Sequence, residues 1–298
     1  MRNKSNLPAE NSQGDFFRVT TSVLVLLVSF IVVNLLHHLF QAYLSEALGY
    51  DTKISFSRVV SSPHYARYWN MKRIVALYAT PLVGFLTLGF LCFFFLERRK
   101  QVHTNEDGAL WLDKLSTSGI FLFWIGLCSV SLTITHLALT PIGTINPLYN
   151  PFFQDASVVA IWLKIPPVGL IILSVVSMIM ALVIGFYFGK HFAERFAYGR
   201  NVLTKTSGRL KIAIFLYIIP VVSLFPLAYL LTYPNSPYVH LGQILVLLWM
   251  SIGVFMFFEL RAAQLHKLRC ADEAKRKSID LFILLVLLVV GIKLILKY

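Results

Sequence analysis

Seven stretches of about twenty mostly apolar residues run through this chain, and a stretch of that length is long enough to cross a lipid bilayer as a helix. They fall at residues 19–40, 74–96, 119–140, 168–189, 211–232, 241–259 and 279–296. With 57% of its 298 residues hydrophobic and 14% charged, a water-soluble fold could not hide the apolar surface, so the excess must face lipid. The expected fold class is all-α: a polytopic transmembrane helical bundle of about seven spans, forming a single integral membrane domain over residues 1–298. The first stretch follows a short polar tail. Its length, and the lack of a small-x-small site after it, make it a retained span rather than a cleaved signal peptide.

Basic residues orient such a chain, because lysine and arginine collect in cytoplasmic loops. Of the 27 lysines and arginines, more than twice as many lie in the N-terminal tail and the second, fourth and sixth loops as on the other side. The rule puts the N-terminus in the cytoplasm and the C-terminus outside. The compact length and short loops fit a bacterial cytoplasmic membrane. The net charge of +13 is thereby accounted for, and nucleic acid is not an expected partner, since no basic stretch lies on a soluble domain. The expected partners are the bilayer itself and other membrane proteins.

The loops differ in kind. The first, residues 41–73, is the longest, and its Lys53–Val60 portion alternates enough to allow a short strand. The third, TPIGTINPLYNPFFQD, reads as an ordered turn structure bordered by the interfacial aromatics Tyr149, Phe152, Phe153 and Trp162. The sixth, ELRAAQLHKLRCADEAKRKS, is rich in helix formers and should prolong the sixth helix. Pro220 and Pro226 should bend or break the fifth span, and Pro81 the second, each freeing a backbone carbonyl. Such breaks mark binding sites in some transporters, but they also serve packing, which is the reading adopted here. Cys92, Cys128 and Cys270 are too scattered for a disulfide framework or a CxxC site.

Ionisable residues inside spans carry most of the functional information in a membrane protein. Glu97 and Glu259 sit at helix ends and no carboxylate lies mid-span, which argues against a carboxylate-driven transporter. Asn34 is the main polar residue of the first span, and an interhelical hydrogen bond is its expected role. His37 and His38 close the first span, His136 ends the third, His240 opens the sixth and His64 lies in the first loop, all near the outer boundary. Imidazoles at a common depth are candidate ligands for zinc or haem, although the sequence alone assigns no cofactor.

The most specific local pattern is LHHLFQAYLSEALGY, residues 36–50. It resembles the first-helix motif of site-2-protease-type intramembrane zinc metallopeptidases, HExxH followed by a small residue and a glycine. In that motif two histidines at i and i+4 share a helix face and bind zinc, while the glutamate activates water. His37 matches the first histidine, Ala42 and Gly49 fit the flanking pattern, His38 stands at the glutamate position and Gln41 at the second histidine. LYATPLVGFL, residues 77–86, is similar to the family's Gly-Pro-containing second helix, with Thr80 in place of the glycine. The resemblance implies a third ligand, an aspartate on a later helix. Asp155 is the candidate here, in a loop and without the usual Asp-Gly context.

The weak metal candidates are thus His37, His38, His136 and Asp155, with no catalytic residue assigned. His38 cannot replace Gln41 as a ligand, because it lies about 100° round the helix from His37. The resemblance covers the N-terminal third and implies a degenerate, inactive relative. The expected function is a non-catalytic binding or scaffold subunit of a membrane complex. The alternatives are a small-molecule transporter built round the proline-broken fifth span, and a metal- or haem-dependent enzyme using the outer histidines.

Overall fold

The computed structural model describes residues 12–54, 59–63, 70–98, 102–104, 110–112, 117–145, 154–196, 206–232, 238–260, 268–270 and 284–291. Its helices are α1 (Ser12–Ala47), α2 (Met71–Arg98), α3 (Thr117–Ala138), α4 (Thr140–Gly143), α5 (Asp155–Trp162) and α6 (Pro167–Phe196). A broken rod follows: α7 (Thr206–Ala213), a π-helical turn (Ile214–Ile218), α8 (Ile219–Val222) and α9 (Leu224–Thr232). The long helix α10 (Tyr238–Leu260) follows. Among the described residues six helical segments are long and apolar enough to cross a membrane, so the chain is a multi-pass membrane protein. Of the expected seventh span, residues 284–291 are helical and the remainder lies outside the described residues.

The fold is a helical bundle, and two expectations about its connections need correction. In the first loop, where alternation allows a strand, β1 (Tyr50–Ile54) and β2 (Val59–Pro63) form an antiparallel hairpin. A second sheet joins β3 (Val102–Thr104), β4 (Leu110–Leu112) and β5 (Leu268–Cys270), with β4 and β5 parallel. Hence Leu268–Cys270 of the sixth loop form a strand instead of continuing the helix, and there strand pairing overrides the helix propensity. Residues 261–267 and 271–278 of that loop lie outside the described residues, as do His64, Tyr149, Phe152 and Phe153. The second correction concerns Asp155, which opens helix α5 rather than sitting in a loop.

The sheet β3–β4–β5 brings the second and sixth loops to one end of the bundle. The hairpin, α4 and α5 belong to connections at the other. Helix α3 is central, with 78% of its membrane window buried, whereas α6 is peripheral at 28%. Helices α6 and α10 approach each other backbone to backbone. A Cβ on Gly185 would collide with the Met250 carbonyl, and one on Gly253 with the Leu182 carbonyl, so these positions admit only glycine. The sequence's end-of-helix glutamates pair at the basic end. Arg209 grips Glu259 with two hydrogen bonds, 3.0 and 3.1 Å, and Lys190 reaches Glu97 at 3.1 Å.

Pro220 and Pro226 do interrupt the fifth span, as the sequence predicts, whereas Pro81 leaves α2 continuous. Proline at 220 withdraws the donor for the carbonyl four residues back, that of Leu216. Ser22 of α1 supplies a replacement, donating its hydroxyl to that carbonyl at 2.9 Å in a buried setting. The break therefore serves packing between α1 and the fifth span. Ser22→Ala should cost about 1 kcal/mol of stability, read as a lowered unfolding temperature in detergent, whereas Ser251→Ala, where the hydroxyl turns back to the helix's own Leu248 carbonyl, should cost less.

Candidate metal centre

Four elements bring the histidine end together. On α1, His37 and Gln41 are one turn apart and project from the same face. Helix α3 contributes His136 in its last turn. Thr140, the first residue of α4, accepts the chain there and donates its hydroxyl to the His136 carbonyl at 2.7 Å. Asp155 is the first residue of α5, where the partial positive charge of a helix N-terminus favours an anion. The buried face of α5 (Asp155, Ala156, Ser157, Ala160) turns Asp155 inward.

The result is a closed group of buried polar side chains. His37 Nε2 donates to Asp155 Oδ2 at 3.0 Å. Gln41 Nε2 donates to the other carboxylate oxygen, Oδ1, at 3.0 Å. His136 Nδ1 approaches Oδ2 at 4.0 Å. His37, Gln41, His136 and Asp155 are 1%, 2%, 5% and 8% exposed, so water cannot carry these interactions. Burial works against ionisation of Asp155. The hydrogen bond from His37, the imidazoles of His136 and His37 and the Gln41 amide outweigh it, holding the carboxyl at about 2.

Of the four sequence candidates, three converge. One donor atom each from His37, His136 and Asp155 lies within 4.8 Å of the others. His38 is excluded from that set because it leaves α1 in another direction. Its ring packs edge-on to His37, centroids 5.4 Å apart, and faces His240 at 6.5 Å. Helix α2 borders the site through Phe85, edge-on to His37, and through Tyr78, which is close enough to feel the charge of Asp155. Towards the bundle centre, Asn34 donates to Gln243 at 3.1 Å, and Gln243 donates to the Cys128 carbonyl at 3.0 Å. This is the interhelical bond expected of Asn34, with Gln243 as the partner the sequence did not single out.

The donor set suits a metal of the zinc class. Zinc bonds of about 2.0–2.1 Å put tetrahedral donors roughly 3.3 Å apart, and the 3.0 and 4.0 Å separations bracket that value. His136 Nδ1 is buried and has no hydrogen-bond partner among the described residues, an expensive state that a cation beside Asp155 would relieve. No known protein family, curated protein or solved structure matches this chain.

Proposed function

We propose that this multi-pass membrane protein holds one divalent metal of the zinc class between His37, His136 and Asp155, and that it does so without peptidase chemistry. The observation carrying this reading is the meeting of two imidazoles from different helices on one buried carboxylate oxygen. The resemblance to intramembrane zinc peptidases points the same way. The first histidine and a late aspartate are kept, and a third ligand comes from α3 instead of from position 41. What is missing is the glutamate that would activate water, since His38 occupies that position and packs between His37 and His240.

In this reading the metal clasps the outer ends of α1, α3 and α5, and the bundle binds or scaffolds another membrane protein rather than cutting it. The basic-loop distribution supports an N-terminus inside and a metal centre towards the outer face, and the compact length and short loops support a bacterial cytoplasmic membrane. A second reading, a metal-dependent hydrolase, is favoured by one observation: three protein ligands leave a fourth position for water.

The test is thermal unfolding of purified, chelator-stripped protein titrated with zinc. Zinc at a hundred times its Kd should stabilise the fold by about 2.7 kcal/mol. An unfolding temperature indifferent to zinc would refute the proposal.

A further inference from the structure

Gln41 reads from the sequence as a damaged metal ligand, yet its amide is turned to the carboxylate. It is 2% exposed and donates to Asp155 Oδ1, whereas both imidazoles approach the other oxygen, Oδ2. The far end of α1 is pinned as well, because Ser45, one turn beyond Gln41, donates to Ser61 of the hairpin at 2.7 Å. Gln41 is therefore held in place from both sides along one helix face, His37 preceding it and Ser45 following.

We infer that Gln41 is a positioning residue that fixes Asp155 as a one-oxygen metal ligand; this rests on the metal centre proposed above. A free carboxylate can bind a cation through one oxygen or through both. An N–H group donating to Oδ1 puts partial positive charge on that side, which repels a cation there and leaves Oδ2 as the metal-facing atom. The amide also fixes the plane of the carboxylate, so that Oδ2 stays directed at His37 and His136. Outer partners of this kind tune a metal site about as strongly as a weak ligand does, typically by about 10–100-fold in affinity. The position a ligand histidine would occupy has thus been reused one bond further from the metal.

The test uses full-length protein loaded with cobalt(II), whose visible bands are intense in four-coordinate sites and weak in five-coordinate ones. Gln41→Leu keeps the side-chain bulk and removes the donor. It should weaken cobalt binding by about 10–100-fold while keeping one site per chain, and should shift the bands towards five-coordination as Oδ1 is released. Should that variant fail to fold, infrared spectra of the wild type with and without zinc give the same answer. One-oxygen ligation widens the splitting between the two carboxylate stretches, and two-oxygen ligation narrows it. Unchanged affinity and bands in Gln41→Leu, or a narrowed splitting in the wild type, would overturn the role of Gln41 alone. A wild type that binds neither cobalt nor zinc would overturn the metal centre and this role together.

Discussion

Gly185→Leu or Gly253→Leu will prevent α6 and α10 from packing, and detergent-solubilised protein will lose its sharp elution peak and unfold at a much lower temperature. A Cβ at either position meets backbone atoms of the facing helix, the Met250 carbonyl in one case and the Leu182 carbonyl in the other. A backbone cannot rotate away as a side chain can, so the helices must separate along their whole contact. Overpacking a core ordinarily costs about 1–3 kcal/mol, and these substitutions should exceed that range because the obstruction is main chain. Even alanine should be poorly tolerated. Gly84 supplies the control: a Cβ there would lie 3.7 Å from Phe40, an ordinary contact, so Gly84→Ala should leave elution and unfolding nearly unchanged. Equal behaviour of Gly84→Ala and Gly185→Ala would mean the α6–α10 approach is looser than described.

The second large effect is expected at Asp155. Removing its carboxylate as Asp155→Ala strands the buried Nε2 of His37 and the amide of Gln41, both of which donate to it. Two buried donors left without an acceptor should cost on the order of 2–4 kcal/mol in metal-free protein, and metal binding should vanish as well. Asp155→Asn keeps the shape and one acceptor oxygen, so it should recover part of the stability but little of the metal affinity. The pH dependence has a defined sign. A carboxyl held at about 2 when folded, against an ordinary value near 4, stabilises the fold fully above about pH 4. That contribution, roughly 2 kcal/mol, fades as pH falls from 4 towards 2. Asp155→Ala should therefore lose less stability over that interval than wild type. Parallel acid-unfolding curves for the two proteins would contradict the assignment.

Six of the spans were legible in the sequence because lipid imposes a length and an apolarity that no tertiary context overrides. So was the consequence of Pro220, because a missing N–H always frees a carbonyl. The role of Ser22 was not, since the acceptor lies 194 residues away in the chain. The strands β3, β4 and β5 escaped notice because three-residue segments carry no usable periodicity. Asp155 was read as a loop residue because the Pro- and Asn-rich stretch before it masks the start of an eight-residue helix.

At the site, depth was legible and direction was not. His37, His38, His136 and His240 all belong to one end of the bundle, but only the rotation of each helix separates His37 and His136 from the other two. Gln41 was misread for a different reason. A motif assigns i+4 to the metal, and only the position of Asp155, 114 residues further on, gives its amide another partner. The departure from the peptidase pattern at residues 38 and 41 remains as the sequence has it. What the fold adds is that His136 of α3 approaches the same Asp155 oxygen that His37 reaches.

The most direct test of the metal centre is elemental analysis of tag-free protein purified without chelator, beside His37→Ala and His136→Ala variants that still elute as folded protein. The account predicts about one zinc-class ion per wild-type chain and less than roughly a tenth of that in either variant. A metal-free wild type, or equal metal in all three proteins, would contradict it.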